Sequence, residues 1–482
     1  MAKLPIDRAI RWWADKDARR PALSCGGTTI TRGELLERSE RRACAFHELG
    51  VRPKDYIVIA LPNSIEFFET AIAAVRVGAM VLAISSKMPA REREPIFQAL
   101  KPALVVGVPD GSCPGMKTVP QGFMPEDRHS CELPYQEAYA WFTTTSGGST
   151  GRAKLIVNTQ AGSTDPESPV ERLKLEATAL IPAPLYHGAP FNFGLRALSF
   201  GNHVIVMPKF DPEECLRLIH QHRVDYVQVV PTMMIRMWRL GPELIARYDL
   251  SSLRVMVSFG AACPAWLKEA WIGLIGPEHV HEFYSATEQI GKTWITGTEW
   301  LEHRGSVGRA ANGSRITIFG PDGKELGPGE IGDIYLIPAA GPGKTYYYIG
   351  AESQRRADGW ETSGDIGWLD KDGYLYIADR RTDLILSGGA NVYPAEIEAV
   401  IDQHPAVRAS AVIGMPDDDL GQRVHAIVET DEALDAEQLR TWLADRLVRY
   451  KIPRTFEFVK EPIRNETGKV QRSAYRRARL ER

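Results

Sequence analysis

The chain lacks a long apolar run. Its most apolar stretch, Ala71 to Ser85, is broken by Arg76 and falls short of the ~20 residues a membrane-spanning helix needs. The first seventeen residues carry charges where a secretory signal needs an apolar segment. Cysteine is scarce, with six residues (25, 44, 113, 131, 215 and 263), no CxxC pair and no zinc-like Cys/His spacing. That excludes a disulfide scaffold or zinc module and points to a soluble protein of a reducing, cytoplasmic compartment. No sign of charge dominates: 58 Lys+Arg against 61 Asp+Glu leave −3, so no nucleic-acid or anionic-membrane partner is expected. Gly (42) and Pro (32) are ordinary for this length, which excludes collagen-like and low-complexity classes, and no solenoid repeat is present. What remains is 44% hydrophobic and 25% charged, a globular balance, and 482 residues imply about three domains at roughly 150 residues each.

The first hundred residues read as alternating elements. Thr31-Arg32-Gly33-Glu34 is a capping-box pattern opening a helix to about Leu49. Strand-like runs at Tyr56–Leu61, Met80–Ile84 and Ala103–Val108 alternate with helical periodicity over 64–77 and 90–100. That alternation predicts βαβ units and a largely parallel sheet. Similar runs return at Tyr226–Val230, Leu253–Phe259 and Val280–Tyr284. From about Thr293, short strands between Gly/Pro turns predict a small β-rich subdomain, and after Arg380 the pattern is compact α+β. The expected class is α/β: an N-terminal core over 1–380 and a small mobile C-terminal domain over 381–482. From Arg440 to Arg482 there are thirteen Lys/Arg and five acids, which reads either as a solvated surface or as a platform for a polyanionic small molecule.

The sharpest local feature runs from Thr143 to Lys154, TTTSGGSTGRAK, after a strand-like run at Ala138–Phe142. Glycines let backbone N–H groups converge on an anion, hydroxyls add donors, and the lysine adds charge. No Walker A register fits. A flexible linker is the bland alternative. Gly147-Gly148-Ser149-Thr150-Gly151 also fits the GxSxG elbow of a serine hydrolase, with Asp365 and His404 as triad partners, but that reading leaves Lys154 unexplained.

Further motifs follow in order: Pro184-Leu185-Tyr186-His187, Tyr284-Ser285-Ala286-Thr287-Glu288, Gly305-Ser306-Val307-Gly308-Arg309, Thr362-Ser363-Gly364-Asp365, Asp379-Arg380, Gly388 to Glu398, and Asn465-Glu466-Thr467-Gly468-Lys469. Over almost its whole length the chain resembles the adenylate-forming superfamily of acyl-CoA synthetases, luciferases and nonribosomal adenylation domains. The resemblance implies an ATP-dependent acid–CoA ligase that makes an acyl-AMP and then a thioester, with ATP, Mg²⁺ and CoA. It assigns Lys469, Glu288 and Thr287 to catalysis, Glu288 also holding the metal. ATP would meet Thr145, Ser146, Gly147, Gly148, Ser149, Thr150, Gly151 and Lys154, then Gly260-Ala261-Ala262, then Glu282, Phe283, Tyr284, Ser285, Ala286 and Thr287. Tyr284 would stack on adenine, and Asp365 would accept the ribose hydroxyls, reinforced by Arg380. Glu282 falls where relatives place an adenine-amine partner; a strand-end surface glutamate is the alternative. Gly147, Ala153, Leu155, Ser285 and Thr382, the expected hinge, depart from the family's usual residues.

The resemblance also gives His187, Gly188, Phe191, Gly260 and Ser285 to the acid. No carboxylate lies between Pro184 and Phe200, which favours an organic acid over an amino acid. The small residues Gly188, Ala189, Pro190 and Gly194 suggest room for a bulky, hydrophobic, even polycyclic acid, and Tyr346-Tyr347-Tyr348 resembles bile-acid, steroid or terpenoid acid ligases. Ser387, Gly388, Gly389 and Lys451, with Arg449 and Arg454 nearby, would receive CoA. A separate carrier protein is the alternative acceptor, a luciferase-like oxygenation or a non-catalytic regulator more distant ones, and a homo-oligomer is compatible with the chain.

Overall fold

Thr31 caps its helix as the sequence predicts: its Oγ1 accepts the Glu34 N–H while the Glu34 carboxylate accepts the Thr31 N–H, opening Arg32–Glu48. The same logic starts Ile65–Arg76, where the Ser64 side chain accepts the Phe67 N–H. These elements belong to a computed structural model that describes residues 3–109, 112–125, 133, 141–146, 154–465 and 468–481.

Two large sheets form the N-terminal part. In the nine-stranded sheet, Pro21–Cys25, His203–Val206, Thr178–Ile181, Tyr226–Val229, Val255–Ser258 and Val280–Glu282 run parallel, with antiparallel strands at both edges. The seven-stranded sheet has a parallel centre (Met80–Ala83, Tyr56–Ile59, Leu104–Val106) and ends in an antiparallel run, Phe142–Ser146, Lys154–Asn158 and Tyr346–Ile349. The strands at 293–310 belong to the nine-stranded sheet. The small antiparallel sheet starts at Arg315–Phe319 and ends at Leu375–Arg380. Beyond it, Ile385–Ser387, Ala390–Val392, Ala409–Asp417, Gly421–Glu429 and Thr455–Val459 form a separate sheet with its own core of Ile397, Ile401, Val412, Val428 and Leu439.

The helices Ile65–Arg76 and Gly188–Ser199 pack together in the main core. Their approach is close: a Cβ on Gly194 would stand 2.4 Å from the Phe68 ring and 2.8 Å from Ile181. Phe191 contacts the rings of Phe67, Trp141 and Phe142, and Phe193 stacks on Tyr226. No described helix is long and apolar enough to cross a membrane.

Candidate active site

Two antiparallel strands flank the glycine-rich segment. Residues Phe142–Ser146 form one strand, and Ser146 pairs directly with Lys154 at the start of the other. Of the strand-like run expected over 138–142, residues 138–140 lie outside the described residues; the described strand continues through the β-branched Thr143, Thr144 and Thr145. Gly147, Gly148, Ser149, Thr150, Gly151, Arg152 and Ala153 lie outside the described residues, as does the Ser146 side chain.

Lys154 is the part of that segment whose partners are defined. Its Nζ sits 3.9 Å above the Tyr348 ring and 4.0 Å from Glu288 Oε1. The Tyr348 hydroxyl donates to the same Oε1 at 2.6 Å, and Thr345 Oγ1 donates to the Glu288 carbonyl at 3.0 Å. Burial, then the neighbouring Glu288 carboxylate, hold the Tyr348 hydroxyl protonated well above the usual tyrosine range. Oε2 has no hydrogen-bond partner among the described residues. One carboxylate with a tethered and an open oxygen, beside a cation that attracts phosphate, suits a Mg²⁺ that takes its other ligands from phosphate and water. Thr287, next to it, is exposed.

A second anionic point lies where Tyr284 meets the small sheet. Asp365 is buried, and its Oδ2 accepts from the Tyr284 hydroxyl at 2.6 Å and from Ser363 Oγ at 2.8 Å. Arg380 Nε stands 3.4 Å from Oδ1. Burial and Asp365 together raise the Tyr284 pKa, so the hydroxyl is a fixed donor that orients the carboxylate. The remaining lone pairs suit a diol. Ser285 spends its hydroxyl locally, donating to the Gly291 carbonyl at 2.8 Å. The Phe283 ring stacks with Phe259 and Trp294, and its N–H donates to the Ser258 carbonyl at 3.2 Å. Glu282 is no surface glutamate: it is 4% exposed and forms a buried ion pair with Lys268. Gly260, followed by Ala261 and Ala262, has φ +82° after Val255–Ser258, a backbone only glycine adopts readily.

Lys469 reaches this cleft from the C-terminal sheet's side. The Gly468 backbone closes on Thr232 of the core, and a Cβ there would meet Thr232 Oγ1 at 3.0 Å. Desolvation and Arg380 lower the lysine's pKa, while Asp365 and Glu288 raise it. Glu466 and Thr467 lie outside the described residues. Lys469 thus shares one electrostatic neighbourhood with both candidate anionic anchors.

Thr382 is exposed in the turn between the two parts. Around it the Arg381 N–H donates to the Gly364 carbonyl, and Arg472 meets Asp379 at 3.4 Å, Asp383 at 2.8 Å and Glu398 at 2.6 Å.

His187, half-buried and stacked near Tyr186, precedes the Gly188–Ser199 helix. The room expected beyond it is filled. A Cβ on Gly188 would stand 2.9 Å from Thr144 and one on Gly194 would strike Phe68, so these glycines serve close packing. Phe191 is 2% exposed and packs within an aromatic cluster.

Ser387, Gly388 (φ +55°) and Gly389 (φ +81°) form a hairpin turn in the C-terminal sheet. Lys451 is held by Glu396 at 2.6 Å. Much of the basic excess is structural: Arg440, Arg454, Arg464, Arg472 and Arg479 also meet carboxylates within 4.0 Å. Ser149 of the serine-hydrolase alternative lies outside the described residues, and its triad partners are engaged elsewhere. His404 packs on Trp442 and its Nδ1 accepts the Ala406 N–H, whereas Asp365 is taken by Tyr284, Ser363 and Arg380. Sequence reasoning missed Tyr348 as the clamp of Glu288, Ser363 and Thr232. Only their pairing in space reveals them.

A family model described as AMP-binding enzyme matches residues 10–347, and one described as AMP-binding enzyme C-terminal domain matches 396–469. The chain is 31% identical to a feruloyl-CoA synthase of Amycolatopsis sp, over 95% of each chain. It is 30% identical to a 2-succinylbenzoate–CoA ligase of Bacillus licheniformis, over 94% of this chain and 96% of that one. The solved o-succinylbenzoate CoA synthetase from Bacillus subtilis, in complex with its acyl-adenylate intermediate, superposes with a TM-score of 0.83 at 26% identity, over 98% of both chains. Fold, motif order and these matches agree: the chain belongs to the AMP-binding enzyme family, in its acyl-CoA ligase branch.

Proposed function

We propose that this protein is an AMP-forming acid–CoA ligase whose first half-reaction is run by Lys469, Glu288 and Asp365. The observation that carries the reading is the pair of anchored carboxylates, Glu288 beside Lys154 at 4.0 Å and Asp365 beside Arg380 at 3.4 Å, both of which act electrostatically on Lys469. In the first step an oxygen of the acid's carboxylate bonds to the α-phosphorus of ATP, the bond to the β-phosphate's bridging oxygen breaks, and pyrophosphate leaves. Two anions must meet, so fixed positive charge is required where charge develops. Lys469 supplies it beside the acid and the α-phosphate, and Lys154 attracts the departing pyrophosphate. Mg²⁺, held at Glu288, neutralises phosphate charge when bound. Asp365, oriented by Tyr284 and Ser363, accepts the ribose hydroxyls and sets the nucleotide's register. In the second step the CoA sulfur bonds to the acyl carbon and AMP leaves. Ser387, Gly388, Gly389 and Lys451 are the residues we assign to CoA, after the C-terminal domain (381–482) turns about Thr382.

For the acid, a slender organic acid lying along the helix that His187 opens has more support than a bulky polycyclic one, because Gly188 and Gly194 are already filled. A carrier protein as natural acceptor is the other reading of the second step. Pyrophosphate release from ATP across a panel of acids, each with and without CoA, tests both. Release without CoA and thioester only with it are expected. No release with any acid overturns the reading.

A further inference from the structure

The run Thr345-Tyr346-Tyr347-Tyr348 lies at one edge of the seven-stranded sheet. Successive side chains of the strand Tyr346–Ile349 point to opposite faces. Tyr347 turns one way, its hydroxyl 3.1 Å from that of Tyr56. Tyr346 and Tyr348 turn the other way with their rings 4.9 Å apart, and Tyr346 is buried in the core it shares with Ile318, Ile334 and Leu336. Tyr348 pairs with Ile156, two residues beyond Lys154, so the tyrosine and the lysine are diagonal neighbours on one face. Thr345, at the head of the strand, ties down the Glu288 main chain. The strand thereby presents one tyrosine to two opposite charges at once.

Those charges do not close on each other. Elsewhere in the chain, lysine–carboxylate pairs reach direct contact: Lys292 meets Glu171 at 2.7 Å and Lys451 meets Glu396 at 2.6 Å. Lys154 stops 4.0 Å from Glu288 Oε1. The Tyr348 hydroxyl already donates to that oxygen at 2.6 Å, a charge-assisted bond. The Tyr348 ring holds the ammonium 3.9 Å from its centroid. One side chain thus binds both members of the pair, the carboxylate through its hydroxyl and the cation through its face. A direct pair would neutralise the cation that phosphate needs and the carboxylate that a metal needs. With the Glu288 side chain only 14% exposed, that pair would be poorly screened and hard to displace.

We propose that Tyr348 is a positioning residue that keeps Lys154 and Glu288 apart, so that the lysine stays available to the phosphates of ATP and the carboxylate to Mg²⁺. This rests on the acid–CoA ligase reading above. Tyr348→Phe keeps the ring and removes only the hydroxyl. Glu288 Oε1 then regains a lone pair towards the ammonium, and a small rotation of either side chain closes the pair. The nucleotide must break that pair in order to bind, so the damage falls on ATP binding itself.

The test is calorimetry of ATP binding to the full-length protein with no acid present, so that nothing turns over. It is run in EDTA without metal, then with Mn²⁺, whose capture is read separately by its EPR signal. Tyr348→Phe should bind metal-free ATP about tenfold more weakly, the least that one hydrogen bond to a charged group is worth, and its ATP complex should hold Mn²⁺ more weakly by about the same factor. Adding Glu288→Gln removes the carboxylate that captures Lys154. The double variant should therefore bind metal-free ATP as Glu288→Gln alone does, within about twofold. A tyrosine that merely packs the strand gives no such recovery. Unchanged ATP binding in Tyr348→Phe, or a loss that persists in full in the double variant, overturns the inference and leaves the ligase reading intact. If the unaltered protein binds no ATP in either condition, both fall.

Discussion

Lys469 and Lys154 are both cations in the cleft, yet their partners assign them different work. Lys469 is flanked by Asp365, Glu288 and Arg380, whereas Lys154 is held over Tyr348 beside Glu288 alone. Lys469→Ala should cost adenylate formation about a hundred- to a thousand-fold, the usual loss for one transition-state donor. It should still turn a supplied acyl-adenylate into thioester; equal loss in both half-reactions, measured separately, refutes the assignment. Lys154→Ala should raise the KM for ATP, while Arg152→Ala should change little; the reverse ranking would show that the phosphate cation has been misassigned. A third residue acts through the backbone. Asp402 is buried against Arg464 at 2.9 Å and Ser410 at 2.6 Å, and Arg464 donates onward to the Gly468 carbonyl at 3.2 Å, fixing the turn that carries Lys469. Burial pushes the Asp402 carboxyl up to about 6, against the pull of Arg464 and Ser410. Because this pKa is raised above the ordinary 3.8, ionising Asp402 costs the fold stability above about pH 6, a cost removed as pH falls towards 3.8. The ionised form is the one that grips Arg464. Pyrophosphate release should therefore decline as pH falls through about 6, and Asp402→Asn should lack that limb. An unchanged acid limb in Asp402→Asn would place the titrating group elsewhere.

Between the helices Ile65–Arg76 and Gly188–Ser199, competing terms can be weighed at Gly194. Alanine in mid-helix gains about 1 kcal/mol over glycine. A Cβ placed 2.4 Å from the Phe68 ring incurs overpacking of about 1–3 kcal/mol. The clash should win: Gly194→Ala is expected to lower stability modestly and Gly194→Val more, read as a falling Tm. A raised Tm in either would mean the helices separate freely. Elements of this kind were partly legible in the sequence. The Thr31 cap, the buried strands and the helices over 64–77 and 90–100 follow from local pattern, since the residues that set them are neighbours in the chain. Gly194 was legible as small but not as filled, because Phe68 and Ile181 arrive from distant segments. The same holds for the site. Asp365, Glu288 and Lys469 stand in recognisable motifs, but Tyr348 is separated from Glu288 by sixty residues, and only the strand pairing of Tyr346–Ile349 with Lys154–Asn158 brings it there.

At the scale of the whole molecule, Lys469 and the Ser387-Gly388-Gly389 turn belong to the same C-terminal sheet region, and on the reading proposed above the two half-reactions need each in turn beside one adenylate. The orientation described here is the one that delivers Lys469. Among the described residues its polar contacts include Arg239 donating to the Val407 carbonyl at 3.1 Å, the Ala395 N–H donating to Asp379 at 2.7 Å, and Arg472 bridging Asp379 and Asp383 across the turn, while Gly468 rests on Thr232. Polar contacts of this kind can be exchanged at modest cost, as a rotation between steps requires. The pivot must absorb the change in φ and ψ, and Thr382 lies between Asp379 and Asp383 with its N–H making no hydrogen bond among the described residues. Proline at 382 therefore sacrifices no described bond, yet it fixes φ near −65° and stiffens the turn. Thr382→Pro should keep most of its pyrophosphate release and lose thioester formation by tenfold or more. Measuring both half-reactions on one preparation separates this from general damage, because an unfolded variant loses the two together. Thioester formation at the wild-type rate would mean that the turn at 381–383 is not where the molecule bends.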